Sequence, residues 1–389
     1  MKVLDRRILA AAIIIFGLLA VLGLSRVYAS PTIYPTGTTI HEPATTFEGY
    51  FMFQAGHQIL LVDMDGEVVH SWTGGPYSLD YMEPLDNGSI LSTAETATMT
   101  GLVELDWNSN LVWSVSFDKN ELVVHHDFER LENGNTLLLC RKLRIVPDIS
   151  SKEIWDDFII EVNPQGNIVW EWYTSDHFSE FGFSALARRL IDERGGDWSH
   201  TNSIHTLPEN LLGDPRFRPG NILVSQRHTN TIFIIDKSTG TIVWKCGPDD
   251  NQTIGQHDAK MIPLGLPGAG NILVFDNGGR GGYPEEARLY SRVVEIDPVR
   301  KTVVWKYLAA ISGRHPDTFF SAFISSAQRL PNGNTFIDEG ESGRLFQVTS
   351  EGEIVWEYIN PFFYKYMQVL TVNTIYRAHL VPLDWPPLP

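Results

Sequence analysis

Cysteine, positive charge and helix signals are all scarce in this chain of 389 residues. Its two cysteines, Cys140 and Cys246, are too few for a disulfide scaffold or a cysteine-rich zinc site, although they suffice for one bridge. The net charge is −17, which repels polyanions and argues against nucleic-acid binding. Hydrophobic residues make up 43% of the chain, so the body is expected to be globular rather than disordered.

Residues 1–30 have the pattern of an export signal. Three basic residues precede an uncharged run over residues 8–25, and Val27 and Ala29 suit a signal-peptidase site. The run is compatible with cleavage and also with retention as an anchor helix. We expect residues 31–389 to lie outside the cytoplasm, periplasmic or extracellular, with membrane contact only through this segment.

A repeat that ends in tryptophan recurs six times, at spacings of 41 to 74 residues. Each copy has an alternating apolar strand, a polar turn and a β-branched second strand, which predicts a β-hairpin. The copies end at Trp72, Trp113, Trp170, Trp244, Trp305 and Trp356. We predict that these six tryptophans occupy equivalent positions in six repeated units.

A second turn-and-strand piece lies upstream of five hairpins, as in LDNGSIL at 85–91 and LPNGNTFI at 330–337. Two hairpins make a four-stranded sheet, and six such sheets hide their faces economically when they pack radially. The sequence therefore predicts an all-β, six-bladed β-propeller over residues 50–389, after a short segment at 31–49. Residues 375–385 are predicted to supply the missing inner strand and close the ring.

Histidines stand at the predicted starts of several inner strands, where side chains face the axial channel. His126 and His257 occupy the same register in two units, Asn202 occupies it in a third and Ser325 in a fourth. His200 lies two residues before Asn202 and therefore on the same side of an extended chain. A hydrogen-bonded structural role is the alternative for any one histidine, and recurrence in one register favours a site.

Arg227 follows the second strand of the unit that holds Asn202, so it is expected at the same end of the channel. Three histidines, an amide and a guanidinium suit an anionic ligand. Tyr81, before the first inner strand, and Arg377 and His379, from the closing strand, are further candidates for binding substrate, with a structural role equally open.

Three histidines from three units suggest zinc or copper, but a cation is repelled by a neighbouring guanidinium, so no metal is expected. Seven other histidines lie outside the starts of the inner strands or alternate away from them and are interpreted as structural. They are His41, His57, His70, His177, His205, His228 and His315.

Five segments together resemble the bacterial aryl-sulfate sulfotransferases (arylsulfotransferases) and their shorter relatives: HHDFERLENGN, DWSHTNSIH, NILVSQRHTN, GQHDAKMI and NILVFDNGG. The resemblance covers residues 31–389. It implies a six-bladed propeller that moves a sulfuryl group from a phenolic sulfate ester to a phenol, through a sulfated histidine, with no cofactor and no nucleotide sulfate donor. The chain has no glycine-rich phosphate loop before a helix, which fits this expectation.

The resemblance implies His257 as the nucleophile, His126 and His200 as supporting histidines, and Asn202 and Arg227 as donors to the sulfuryl oxygens. These residue types suit the chemistry, because a sulfuryl group in transfer spreads negative charge over three oxygens and needs fixed donors. Larger members have an N-terminal β-sandwich and a closely spaced cysteine pair, which this chain lacks. Dimerisation and disulfide dependence therefore do not carry over, and the oligomeric state stays open.

Two other functions were weighed. A non-catalytic exported propeller that serves as a binding platform would have an axis filled by apolar side chains. A quinone-dependent dehydrogenase is suggested by IIDKSTGTIVW at 234–244, which is similar to the tryptophan-docking motif of quinoproteins. Only one of the six units has this pattern, and six blades rather than eight disfavour that class.

Overall fold

The computed structural model describes residues 35–247, 250, 253–366 and 369–385. The predicted export segment, residues 1–30, lies outside the described residues. No helix within the described ranges has both the length and the apolar character needed to cross a membrane.

Six antiparallel sheets surround a common axis, which confirms the predicted six-bladed propeller. In chain order the strands are β1 (Gly37–His41), β2 (Gly49–Ala55), β3 (Gln58–Asp63), β4 (Val68–Thr73), β5 (Ser78–Pro84), β6 (Ile90–Glu95), β7 (Met99–Leu105), β8 (Leu111–Asp118), β9 (Val123–Arg130), β10 (Thr136–Ile145), β11 (Glu153–Val162), β12 (Ile168–Tyr173), β13 (Thr201–Thr206), β14 (Ile222–Gln226), β15 (Thr231–Ile235), β16 (Ile242–Cys246), β17 (His257–Met261), β18 (Ile272–Asp276), β19 (Arg292–Asp297), β20 (Thr302–Tyr307), β21 (Ser326–Arg329), β22 (Thr335–Glu339), β23 (Arg344–Val348), β24 (Ile354–Ile359), β25 (Tyr364–Tyr366), β26 (Leu370–Val372) and β27 (Ala378–Pro382).

Each blade places its first strand at the axis and its last strand at the rim. Blade 1 contains β27 and β2–β4, blade 2 β5–β8, blade 3 β9–β12, blade 4 β13–β16, blade 5 β17–β20 and blade 6 β21–β24. β25 and β26 form a separate hairpin. The second and third strands of the blades are largely apolar on both faces because each blade packs between two others.

Six apolar clusters lie one between each pair of adjacent blades, and a seventh lies under the insert that contains Phe178, Ile191 and Trp198. Residues from β2 and β3 pack on β22–β24 where blade 1 meets blade 6, for example Phe51 edge-on against Trp356 with ring centroids 5.0 Å apart. No blade has a core of its own, so the ring folds as one unit.

Both ends of the propeller chain join the ring. β27 pairs with β2 from Phe53↔Ala378 to Gly49↔Pro382, which confirms the predicted closure by the C-terminal strand. β1 pairs with β24 and adds a fifth strand to the rim of blade 6, which the sequence analysis did not predict. The two ends therefore add one strand each to two adjacent blades, blade 1 and blade 6.

An indole in the outer strand of every blade donates to a carbonyl in the turn between the third and fourth strands of the next blade, at 2.7–3.0 Å. The pairs are Trp72 with Asp106, Trp113 with Pro164, Trp172 with Gly240, Trp244 with Pro298, Trp305 with Ser350 and Trp356 with Met64. A tryptophan of the outer strand therefore joins each blade to its neighbour.

The prediction that all six repeat tryptophans are equivalent is wrong for Trp72. Trp113, Trp170, Trp244, Trp305 and Trp356 pair with the residue two positions before the turn. In blade 1 that position belongs to His70, whose Nε2 lies 2.7 Å from the Trp107 carbonyl, and Trp72 lies two residues further along. In blade 3 the contact likewise comes from Trp172 rather than from Trp170.

The insert between blades 3 and 4 contains the helix α1 (Ala185–Arg194), and the Ser184 side chain caps its start by accepting from the Ala187 N–H. Short 3-10 helices lie at Thr174–Phe181, Pro215–Phe217, Ala309–Ser312, Pro316–Thr318 and Gly340–Ser342. Cys140 and Cys246 are both free and buried, so they form no bridge with each other. Burial raises the pKa of the Cys246 thiol to about 12.

The tryptophan contacts predict different losses of stability at buried and exposed sites. Trp244→Phe should lower the free energy of unfolding by about 1–3 kcal/mol, because the Pro298 carbonyl loses its donor inside the protein. Trp113→Phe is the matched control, since its contact with Pro164 is exposed and water replaces the lost donor. We expect less than about 1 kcal/mol there. Urea unfolding of both variants measures the difference, and equal losses would contradict the assignment.

Candidate active site

The inner strands begin with backbone that most residues avoid. His126, His200, Asp258 and Ser325 have φ values of 60°, 49°, 51° and 87°, in the left-handed region. The pairing of β9, β13 and β17 with the second strands also shifts register near these positions. Such bulges turn consecutive side chains toward the same side, at about 1–2 kcal/mol of strain per residue. This recurring bulge directs the site residues toward the channel.

His257, at the start of β17, is buried and held in one orientation. Its Nδ1 donates to Asn277 Oδ1 at 2.8 Å, and Asn277 Nδ2 in turn donates to the carbonyls of Ser321 and Ile324. Burial, followed by the positive charge of Arg227, holds the pKa of His257 well below its ordinary value. The imidazole is therefore neutral at neutral pH, with its proton on Nδ1 and its lone pair on Nε2.

The Nε2 lone pair of His257 faces the segment that precedes β21. The backbone N–H of Ile324 donates to it at a distance of 3.2 Å. Ile324 and Ser325 both have left-handed φ values, so this segment is strained beside the imidazole.

Arg227 lies close enough to His257 for its charge to depress the pKa of that histidine. Its backbone N–H donates to the His200 carbonyl at 3.0 Å, which joins it to the start of β13. Its Nε is buried and has no hydrogen-bond partner within the described part of the chain. An unpaired guanidinium N–H in such a place suits an anionic group.

Asn202 lies next to the segment that leads into His257. Its Nδ2 donates one of its two hydrogens to the carbonyl of Gln256 at 2.8 Å. Asn202 thus positions the residue before His257. Its Oδ1 is buried and, among the residues described, unpartnered, so what it offers to a ligand is an acceptor.

His200 belongs to a second cluster in the site. Its Nδ1 donates to Asp197 Oδ2 at 2.5 Å, and its ring lies 4.7 Å from that of His228, centroid to centroid. His228 was interpreted as structural and away from the site, and the structure corrects this. Burial and the charge of His200 lower the pKa of His228 to about 3, so it is neutral.

Asp197, His200 and His228 offer donor atoms within 4.8 Å of one another, a spacing that also suits a metal ion. The Arg194 guanidinium lies 3.1 Å from His228 Nδ1, however, and opposes a cation at this position. The cluster fits an anion with a proton donor beside it better than it fits a metal.

His126 connects these clusters to two tyrosines. Its ring lies 4.9 Å from His200, is nearly parallel to Tyr81 at 5.6 Å and lies edge-on to Tyr376 at 5.8 Å. Burial, then the charges of His125 and His200, hold its pKa well below the ordinary value. Tyr81 and Tyr376 form an aromatic wall, with their rings 4.2 Å apart.

Three predicted substrate-binding residues have other contacts. Arg377 lies between Asp127 and Asp258, at 2.6 and 3.2 Å, and is committed to those carboxylates. Ser325 Oγ donates to Ser321 and accepts from the Gly340 N–H. His379 lines a cavity of about 580 Å³ with Glu83, Glu129 and Lys260, near the far ends of the inner strands. The predicted site therefore gathers His126, His200, Asn202, Arg227, His257 and Tyr81, but not His379.

Several site residues were not singled out from the sequence. Asn277 and Asp197 lie inside the quoted segments NILVFDNGG and DWSHTNSIH, but neither stands at the start of an inner strand. Tyr376 adjoins the closing strand, and its hydroxyl reaches the Asn202 carbonyl at 3.3 Å only because the ring closes there. The recurrence of polar residues in one register identifies only residues at the starts of inner strands. Residues that reach the site from loops are therefore not found in this way.

Two solved structures are similar to this chain over most of its length. A protein of unknown function from Bacteroides caccae is 14% identical with a TM-score of 0.53, covering 86% of this chain and 99% of its own, and at this identity the likeness concerns the fold alone. The virginiamycin B lyase of Staphylococcus aureus is 12% identical with a TM-score of 0.42, covering 85% of this chain and 87% of its own.

No curated protein matches the sequence of this chain significantly. The family model described as arylsulfotransferase (ASST) matches residues 81–361, from the first strand of blade 2 to just past the last strand of blade 6. This match spans more than half of the chain and includes every predicted catalytic residue. The chain therefore belongs to the arylsulfotransferase (ASST) family.

Proposed function

We propose that this protein is an aryl-sulfate sulfotransferase that works through a sulfohistidine at His257, without a nucleotide sulfate donor. The observation that carries the proposal is the state of His257. Its imidazole is buried and neutral, and its Nδ1 donates to Asn277. Burial and then the charge of Arg227 lower its pKa, and Arg227 Nε has no hydrogen-bond partner among the described residues. A nucleophile needs a free electron pair, and the sulfuryl oxygens need a fixed positive donor.

In the first half-reaction, Nε2 of His257 attacks the sulfur of a phenolic sulfate ester. A nitrogen–sulfur bond forms, the sulfur–oxygen bond to the phenol breaks, and the leaving phenolate takes a proton from a neighbouring histidine. The hydrogen bond from the Ile324 N–H to Nε2 breaks before attack. The second half-reaction reverses these steps with another phenol, so one difficult transfer becomes two easier ones.

The aromatic wall of Tyr81 and Tyr376 supports a phenolic substrate, because aromatic rings pack favourably edge-to-face or offset. The described residues that meet at the axis include Asp127, Asp258 and Arg377, which are charged. This lining is the opposite of the apolar axis expected for a passive binding platform. The six blades also disfavour a quinone-dependent dehydrogenase.

The cellular location of the protein is a second part of the proposal. We propose that the propeller acts in the periplasm or outside the cell, because residues 1–30 have basic, apolar and small-residue regions in signal-peptide order. N-terminal sequencing of the protein from fractionated cells tests the proposal. Export with a new terminus after Ala29 shows cleavage, and export with an intact terminus in the membrane shows anchoring. An intact chain in the cytoplasmic fraction would contradict it.

The covalent intermediate predicts a change in mass. Incubation with 4-nitrophenyl sulfate and no acceptor should add one sulfuryl group per chain, located on His257 by peptide mass spectrometry. His257→Asn should release no burst of phenol and gain no mass. His315→Ala is the control, because His315 is exposed on the surface and should leave both signals unchanged. A burst without added mass would instead indicate direct transfer or hydrolysis.

Arg227 should contribute mainly to the transition state. Arg227→Ala is expected to lower the rate of phenol release roughly a hundredfold or more, the usual loss when a preorganised donor is removed. Arg227→Lys keeps the charge without the planar fork, so its rate should lie between those of Arg227→Ala and the unmodified protein. Single-turnover kinetics measures both variants, and a normal rate for Arg227→Ala would remove Arg227 from the mechanism.

A further inference from the structure

Arg141, on the second strand of blade 3, lies beside the candidate active site, and the inner-strand register does not identify it. We propose that its guanidinium binds a second negative group, a carboxylate or another sulfate, on the aromatic ring of the substrate. This inference rests on the proposed sulfotransferase function and names its substrate class. The class is phenols and phenolic sulfates that carry a further anionic group on the ring.

The strand pairing places Arg141 next to the groups that support a site histidine. Arg141 belongs to β10, where it pairs with the first residue of the inner strand β9 on one side and with Asp157 of β11 on the other. The Asp157 carboxylate accepts from Ser199 Oγ and from the Thr201 N–H, each at 2.7 Å. Ser199 and Thr201 are the neighbours of His200 in the chain. Arg141 therefore stands beside the carboxylate that holds the backbone around His200.

The positive charge of Arg141 also acts on three site residues. Burial has the largest effect on the pKa values of Tyr81, His126 and Asp197, and the charge of Arg141 has a lowering effect on each of them. Tyr81 belongs to blade 2, His126 to blade 3, and Asp197 to the segment before blade 4. Coulombic effects fall with distance, so a charge that acts on all three lies where these segments meet, at the site end of the channel.

Arg141 has no anionic partner of its own within the described part of the chain. Its guanidinium lies over the Trp155 ring, 4.7 Å from the ring centroid, and its buried Nε has no hydrogen-bond partner there. Two carboxylates nearby are bound to other groups. Asp157 accepts from the residues on both sides of His200, and Asp197 accepts from His200 Nδ1 at 2.5 Å. The guanidinium of Arg141 is therefore available to an anionic group of a ligand.

Other arginines that stack on an indole in this protein also pair with a carboxylate. Arg130 lies over an indole of β8 and pairs with Glu104 at 2.9 Å. Arg329 lies over an indole of β20 and pairs with Glu295 at 2.7 Å. Arg141 has the same stacking without the carboxylate. Stacking fixes the plane of the guanidinium, and its planar fork of N–H groups matches a carboxylate or a sulfate from the substrate.

Arg141 and Arg227 act on different groups of the site. After burial, the charge of Arg227 has the largest lowering effect on the pKa of His257, where the sulfuryl group is transferred in the proposed reaction. Arg141 acts instead on Tyr81, in the aromatic wall, and on His126 beside it. A ring that packs on this wall with its sulfate at His257 presents its other substituents toward Arg141. A second anionic group there gains a charge-assisted hydrogen bond, and a neutral substituent does not.

The kinetic test compares 3- and 4-sulfooxybenzoate with their methyl esters, which have the same ring and sulfate but no second charge. In the full chain, the KM of the better carboxylate donor should be about tenfold or more below that of its ester. Arg141→Gln should raise the KM of this carboxylate donor about tenfold to a hundredfold, with kcat and the ester little changed. A rise in KM for the carboxylate and its ester alike would assign Arg141 to the transferred sulfate or to the fold, and would overturn the proposal.

Arg144→Gln is the matched control for Arg141→Gln. Arg144 lies on the same strand and stacks on the Tyr173 ring, but it pairs with Asp156 at 3.3 Å. Its loss removes the same charge from the same part of the surface, so it measures the long-range effect of charge on a doubly anionic donor. Arg144→Gln should keep the preference for the carboxylate. Loss of the preference in both variants would overturn a specific role for Arg141.

Calorimetry tests the subsite without the reaction. In a His257→Asn background, which is expected to consume neither donor, the better sulfooxybenzoate should bind about tenfold or more tighter than its ester. A second substitution, Arg141→Gln, should abolish this difference. Equal affinity for the two donors, or binding of neither, would overturn the subsite even in a protein that transfers sulfuryl groups. The expected binding in a protein that never releases phenol would instead overturn the proposed function and leave Arg141 as an anion-binding residue.

Discussion

The ion pairs of Arg377 hold the ring closed directly beneath the site. This residue precedes the closing strand β27, and its guanidinium lies 2.6 Å from Asp127 and 3.2 Å from Asp258, with all three side chains buried. Buried charges are tolerated only when they are paired, and removing one partner of a buried pair typically costs about 3–5 kcal/mol of stability. Because Asp127 follows His126 and Asp258 follows His257, closing the ring also sets the position of both histidines.

Two buried carboxyl groups that interact with the charge of Arg377 are themselves neutral. Burial raises the pKa of Glu83 to about 8 and that of Asp338 well above its ordinary value, so both are neutral at neutral pH. The axis therefore adds little charge of its own, while Arg194 and Arg227 are placed at the site above it. The chain as a whole carries −17 and repels anions at long range, so an anionic donor is attracted only locally.

The fold was largely predictable because its signals are local. Alternating strands, short turns and a tryptophan at the end of each hairpin fall within a dozen residues, and their sixfold repetition determines the architecture. The position of Trp72 was not predictable, because the shift depends on which residue of the outer strand, His70 or Trp72, meets the next blade. The pairing of β1 with β24 joins residues more than three hundred positions apart, and nothing in the local pattern indicates it.

The site was predictable only along the inner strands. His126, Asn202 and His257 share a register that follows from propeller geometry, His200 lies two residues before Asn202, and Arg227 follows from the strand beside them. Arg377 and His379 were candidates for binding substrate, with a structural role equally open. Arg377 is paired with two carboxylates and His379 lines a cavity near the far ends of the inner strands, because the closing strand runs through the channel past the site. Asn277 and Asp197 act through other residues. Their contributions depend on side-chain contacts at 2.8 and 2.5 Å, which spacing in the sequence does not reveal.

Two buried polar atoms at the site have no hydrogen-bond partner among the described residues. Arg227 Nε and Asn202 Oδ1 are both buried without a hydrogen-bond partner in the described part of the chain, at about 1–3 kcal/mol each. One offers a donor and the other an acceptor. In the proposed reaction, a sulfate ester supplies oxygens for the first, and an acceptor phenol supplies a hydroxyl proton for the second. The two kinds of substrate that a double displacement binds in turn would therefore each satisfy one of these atoms.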